Sequence, residues 1–144
     1  MKKSFLIFIM FFLSSISVIA DIDDRFFNAL STCTPYTNNG AFDTAGIAAD
    51  YNSQILGWSE DKCVFKEKVN LMGLEACVIC KLSKPQIKDF TDLATLYKDS
   101  LPSNIENMDV SSIEELKNNP VINLWNQYVQ DPEVCTLNIL ETKK

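Results

Sequence analysis

The sequence predicts an α+β domain: an N-terminal helix, a three-stranded antiparallel meander, then two or three C-terminal helices packed on one sheet face. Three observations predict it. Apolar residues at helical spacing follow residue 20, a period-two alternation fills the middle of the chain, and helical spacing returns behind a strong helix start at Ser83.

The first twenty residues stand apart from that domain. Met1-Lys2-Lys3 is positively charged, Phe5 to Leu13 is an unbroken apolar run, and Val18-Ile19-Ala20 suits a cleavage site. Ser14, Ser15 and Ser17 interrupt the run well short of the roughly 20 apolar residues that a spanning helix needs. Residues 1–20 are therefore expected to be a cleaved signal peptide, and residues 21–144 a single small globular domain exported to the bacterial periplasm or outside the cell. No cysteine follows the cut to take a lipid, and no later segment is apolar enough for stable membrane insertion after cleavage. The lack of any Asn-x-Ser/Thr sequon fits a bacterial source.

The first mature helix covers residues 21–33, where Ile22, Phe26, Leu30 and Cys33 recur at spacings of four, four and three. Pro35 ends it, and Pro35 to Gly40 reads as a turn-rich loop. From Ile47 to Trp58 the period becomes two, with Ile47, Ala49, Tyr51, Ser53 and Ile55 on one face. Ser59-Glu60-Asp61 turns the chain into a second strand, Lys62 to Asn70, with Cys63, Phe65 and Val69 on one side and Val64, Lys66 and Lys68 on the other. A third strand, Glu75 to Leu82, follows the loop around Leu71-Met72-Gly73.

Ser83-Lys84-Pro85-Gln86 then opens a helix, because Ser83 caps the third amide, Gln86 reaches back, and proline is tolerated in a first turn. Ile87, Phe90, Ala94 and Tyr97 form its apolar stripe, which runs toward Leu101 and stops before Pro102. Ser111 to Glu114 opens a short helix, and Asn119-Pro120 restarts one carrying Val121, Leu124, Trp125 and Tyr128. Cys135 to Leu140 reads as a short edge strand or a docked tail. A helix ahead of an antiparallel meander is similar to the cystatin-like arrangement, and Gln54-Ile55-Leu56-Gly57 resembles part of that family's Gln-x-Val-x-Gly inhibitory loop. The segment is one residue shorter than the motif, so inhibition is not carried over from the likeness.

Composition narrows the chemistry. Without Lys2 and Lys3, eleven basic side chains face nineteen acidic ones, a net charge of minus eight that disfavours nucleic acid and anionic membrane as partners. Histidine is absent, which removes imidazole bases, Ser-His and Cys-His nucleophile pairs and histidine-ligated metals. There is no glycine-rich phosphate loop, Gly-x-Ser-x-Gly or Ser-x-x-Lys segment, and no cofactor is implied. Paired carboxylates such as Asp23-Asp24 and Glu114-Glu115 project in different directions on a helix.

Five cysteines in an exported chain imply two disulfides and one leftover thiol. If the turn between the second and third strands is centred on Leu71-Met72, Cys63 lies opposite Cys80 and Phe65 opposite Val78. Cys63 and Cys80 are then expected to be bonded. Cys33 and Cys135 bond each other, or one of them takes Cys77, which is the candidate odd thiol and points to the lysine-bearing face. Cys77-Val78-Ile79-Cys80 has the spacing of a redox pair, but a reactive cysteine needs a helix N-terminus and the two side chains of a strand here point apart. A four-cysteine zinc site lacks a second pair of this kind.

Residues 62–88 hold six lysines against Glu67 and Glu75, so Lys66 and Lys68 are candidates for docking an acidic partner. Trp58, at a hairpin corner, is a candidate interface anchor, whereas Trp125 sits on a core stripe. These features together point to a non-enzymatic binding or structural domain whose partner is an exported or envelope protein. The alternatives are a thiol-disulfide oxidoreductase using Cys77 and Cys80, and a small inhibitor of an exported hydrolase presenting the Gly57-Trp58 corner.

Overall fold

The computed structural model describes residues 24–44, 47–100, 115 and 118–141. The expected signal peptide, the Ile22 turn of the first helix and the Ser111–Glu114 helix start lie outside these residues. In chain order the elements are α1 (Asp24–Thr32), β1 (Tyr36–Thr44), β2 (Ile47–Ser59), β3 (Lys62–Leu71), β4 (Leu74–Ser83), α2 (Lys84–Leu96), a 3₁₀ turn (Lys98–Ser100), α3 (Pro120–Gln130) and β5 (Cys135–Glu141).

The expected three-stranded meander is overturned: the strands form one five-stranded antiparallel sheet in the order β1-β2-β3-β4-β5. One of the added strands was expected to be a loop, and the other an edge strand or a docked tail. The first is β1, which occupies the segment expected to be a loop and pairs with β2 from Tyr36 opposite Ile55 to Thr44 opposite Ile47. Its Asn-Asn-Gly centre has poor strand propensity, so the backbone ladder to the long β2 outweighs composition. Gly40 is useful here because Tyr51 lies across it, and a Cβ at that position would run into the Tyr51 ring. The second is β5, which pairs with β4 from Cys80 opposite Cys135 to Leu74 opposite Glu141 and is bonded to it by a disulfide.

The β3–β4 register also differs from the expected one. Phe65 lies opposite Cys80 and Cys63 opposite Leu82, because the two-residue turn is Met72-Gly73. Both turn residues have positive φ, 50° for Met72 and 80° for Gly73, as a type I′ hairpin requires. The shift is two residues, a full strand period, so every side chain keeps its expected face while every pairing changes.

The buried sheet face meets all three helices. Phe65, fully buried on β3, touches Phe26 of α1 edge-on at 6.1 Å between centroids and Trp125 of α3 at 5.2 Å. Ile55, Cys63, Cys80 and Leu82 complete the sheet side of this core, and Leu30, Ile87, Phe90, Ala94 and Val121 the helical side. Each large side chain so buried contributes about 1.5–3 kcal/mol. Ser83 caps α2 with the reciprocal bonds its spacing predicts: its hydroxyl accepts from the Gln86 amide, and its own amide donates to Gln86 Oε1. The helix ends at Leu96, a turn earlier than the apolar stripe suggests.

Candidate functional site

Where α1 ends, α2 begins and β2 turns into β3, the elements leave a cleft of about 580 Å³, lined by Ser31, Thr32, Trp58, Lys84, Ile87, Lys88 and Thr91. Local chemistry places each wall. The β2 ladder carries a bulge between Ile55 and Gly57, where φ of Gly57 is +103°. Leu56 is the extra residue, left 52 % exposed, and the ladder resumes with Gly57 opposite Val64 and Trp58 opposite Cys63. A disulfide from Cys63 to Cys33, with Cα atoms 5.8 Å apart, ties the end of α1 to the strand beside Trp58. The Ser83 cap fixes the first turn of α2 directly after β4, so Lys84 starts the opposite wall.

Trp58 stands at the mouth with 43 % of its surface exposed. The Lys84 ammonium lies 5.5 Å from its ring centroid, a cation–π contact of about 0.5–1 kcal/mol at an exposed site. Ile87 is buried and forms the apolar floor. Lys88 forms an i,i+4 ion pair with Asp92, and that hydrogen bond and charge raise its pKa, keeping it an ammonium. The hydroxyl protons are committed within the helices: Ser31 donates to the Asn28 carbonyl at 2.9 Å and Thr91 to the Ile87 carbonyl at 2.8 Å. The cleft thus presents an indole, two ammoniums, hydroxyl oxygens and an aliphatic floor.

The structure separates the other candidate interface residues from this cleft. Lys66, opposite Gln54 and Ile79, and Lys68, opposite Asn52 and Cys77, belong to the outer face of the sheet, and Lys68 Nζ lies 3.8 Å from Glu75. Trp58 is instead joined by Lys84, from the helix start at Ser83. Contact between the two depends on the β2 bulge, the β3–β4 hairpin and the Ser83 cap together, which no local pattern announces.

The cysteines pair as Cys33–Cys63 and Cys80–Cys135, so the expected Cys63–Cys80 bond is replaced. The two-residue register shift explains it, since Cys63 now faces Leu82 while Cys80 sits between Phe65 and Cys135. Cys77 is the free cysteine, half-buried opposite Lys68 and Asn138. The Cys-x-x-Cys segment is thus split: Cys80 is fully buried in a disulfide on the core side, and Cys77 points the other way. Glu67, counted in the sequence only as an acid among the lysines, is 1 % exposed and shares the inward face of β3, away from the cleft. The alternation through Cys63, Phe65 and Val69 already placed it there.

Two intramolecular disulfides fit the oxidising environment of an exported protein. Among the described residues no helix is long and apolar enough to cross a membrane. Compared with protein-family models, curated proteins and solved structures, the chain has no significant match in any of the three.

Proposed function

We propose that residues 21–144 act as a non-enzymatic binding domain, exported to the bacterial periplasm or outside the cell, that holds an exported or envelope protein at the Trp58 corner. The observation that carries this reading is the exposure of Trp58 at the mouth of a cleft whose walls are fixed by a disulfide and a capping box. Aromatic anchors of this kind, ringed by polar groups, concentrate binding energy at interfaces. The split Cys77–Cys80 pair weighs against the oxidoreductase reading.

Photocrosslinking tests the reading. With benzoylphenylalanine in place of Trp58, the oxidised protein in its native envelope forms a discrete adduct that is absent when the probe replaces the exposed Asn70. No adduct from position 58, or catalytic reduction of insulin by the purified protein, removes the binding reading. The exposure of both Leu56 and Trp58 on one hairpin favours a second version of it, in which the bound protein is a hydrolase that the corner blocks. Inhibition of at least one protease in a panel at micromolar concentration is its expected result.

A further inference from the structure

We infer that β5 is an interface between two copies of this chain, which pair edge to edge and antiparallel about a two-fold axis at Asn138; this goes beyond the Trp58 reading and does not depend on it. β5 ends the sheet, and among the described residues no strand lies beyond it. The backbone shows what that edge offers. The Lys81 amide donates to the Val134 carbonyl at 2.8 Å, and the Cα atoms of Cys80 and Cys135 stand 4.1 Å apart, close as in a non-hydrogen-bonded antiparallel pair. Bonding to β4 therefore falls to Thr136, Asn138 and Leu140, while Cys135, Leu137 and Ile139 direct their N–H and C=O groups away from it. The Cys135 amide agrees with this direction, since it turns back to the Asp131 carbonyl at 2.9 Å. Leu137 and Ile139 are left to present two donors and two acceptors to a neighbouring strand.

Charge and self-complementarity select the neighbour. Two mature chains of net charge minus eight repel each other, so copies meet where charge is lowest. From Asn118 to Leu140 the charged residues are Asp131 and Glu133, both in the turn between α3 and β5. α3, which packs beside β5 and exposes Asn123, Gln127 and Gln130, carries no charge, and neither does β5 before Glu141. Interface cores are depleted of charge in this way. Edge strands that stay single are blocked by lysine, proline or a bulge, and β5 has none of these. β1, at the opposite edge, contains Gly40 and Asp43. With the axis at Asn138 all seven residues of β5 overlap, and Leu137 exchanges both main-chain bonds with the copy's Ile139. Ile139 and Leu140, 37 % and 59 % exposed on opposite sheet faces, then lie beside the copy's Leu137 and Thr136.

Sedimentation velocity of the oxidised, exported protein from about 1 to about 100 μM tests this, with a reversible monomer–dimer equilibrium as the expected result. Ile139→Pro removes an outward N–H while leaving the β4 ladder its bonds, and Ile139→Lys sets a charge against the copy's Leu137 from a position exposed in the monomer. Each should weaken the dimer at least about tenfold, because a two-fold axis counts every change twice. The lysine variant keeps the test open should the proline unfold the strand. Thr37→Lys, exposed on β1, should change the dimer less than about twofold. Cysteine crosslinking reads the register: Asn138→Cys in a Cys77→Ser background should give a reducible covalent dimer under mild oxidation, and Thr136→Cys in the same background should not. A monomer at every concentration, a dimer indifferent to both Ile139 substitutions, one weakened tenfold by Thr37→Lys, or crosslinking through position 136 in preference to 138 overturns the inference.

Discussion

The Ser53 hydroxyl on β2 donates to Glu67 Oε2 on β3 across 3.0 Å, and each residue is only 1 % exposed. They face each other in the ladder, inside a sheet face otherwise built of Ala49, Tyr51, Val69, Leu71 and Ala76. A carboxyl group in such a setting depends on its hydrogen bonds, because a buried polar group that loses a partner keeps its desolvation cost. Ser53→Ala is therefore expected to destabilise the domain by about 1–3 kcal/mol, well above the effect of removing an exposed hydroxyl. Urea unfolding of Ser53→Ala beside Ser59→Ala, an exposed control, measures the difference; equal midpoints would show that the pair contributes nothing.

The two disulfides close loops of 30 and 55 residues. In the chain-entropy account these are worth roughly 3.5 and 4 kcal/mol, acting mainly on the unfolded chain. Non-reducing proteolysis and mass spectrometry should recover Cys33 linked to Cys63 and Cys80 linked to Cys135, with Cys77 as the single alkylated cysteine after denaturation. A Cys63–Cys80 peptide would refute the β3–β4 register. Mutating Cys80 and Cys135 together to alanine should release β5 from β4 and lower the unfolding free energy by several kcal/mol, since among the described residues β5 pairs with β4 alone.

Face patterns were legible in the sequence because they depend on parity alone. Cys63, Phe65 and Val69 point inward under either register, and Ser83-x-x-Gln86 announces its helix within four residues. Register was not legible, because it rests on one turn in which Met72 adopts a φ of 50°, a conformation that sequence patterns reserve for Asn, Asp or Gly. The β1 strand was not legible because its partner, rather than its composition, makes it a strand. The cleft was legible only as separate pieces, Trp58 on a corner and Lys84 in a helix start, whose meeting is a tertiary event.

That same turn yields a test of local strain. A methionine in the left-handed region costs about 1–2 kcal/mol relative to a residue that tolerates it, and Met72 gains little in return, being 84 % exposed. Met72→Asn should stabilise the domain by about 0.5–1 kcal/mol, while Gly73→Ala, which puts a Cβ at φ of 80°, should destabilise it by about 1–2 kcal/mol. Thermal and urea midpoints moving in opposite directions for the two variants is the expected result. If Met72→Asn lowers stability, the type I′ geometry is not what sets this hairpin.

Tyr128 joins α3 to the start of α2, its hydroxyl donating to the Gln86 carbonyl at 3.2 Å. Removing the hydroxyl with Tyr128→Phe should cost about 1 kcal/mol near neutral pH, the usual worth of a neutral hydrogen bond. Burial first, and the negative charge of Asp89 second, raise the phenol's pKa above its ordinary 10.0. The sign follows from proton counting. Below pH 10 the phenol is protonated in folded and unfolded chains alike, and its contribution is fully present. Above that value the unfolded chain releases the proton while the folded one still binds it, so ionisation favours unfolding and stability falls as pH rises. Lysine titration is common to both proteins and cancels in their difference. The advantage of the parent over Tyr128→Phe should therefore shrink between pH 9 and pH 11 in urea titrations, and an advantage that grows over this range would show that the folded domain stabilises the phenolate instead.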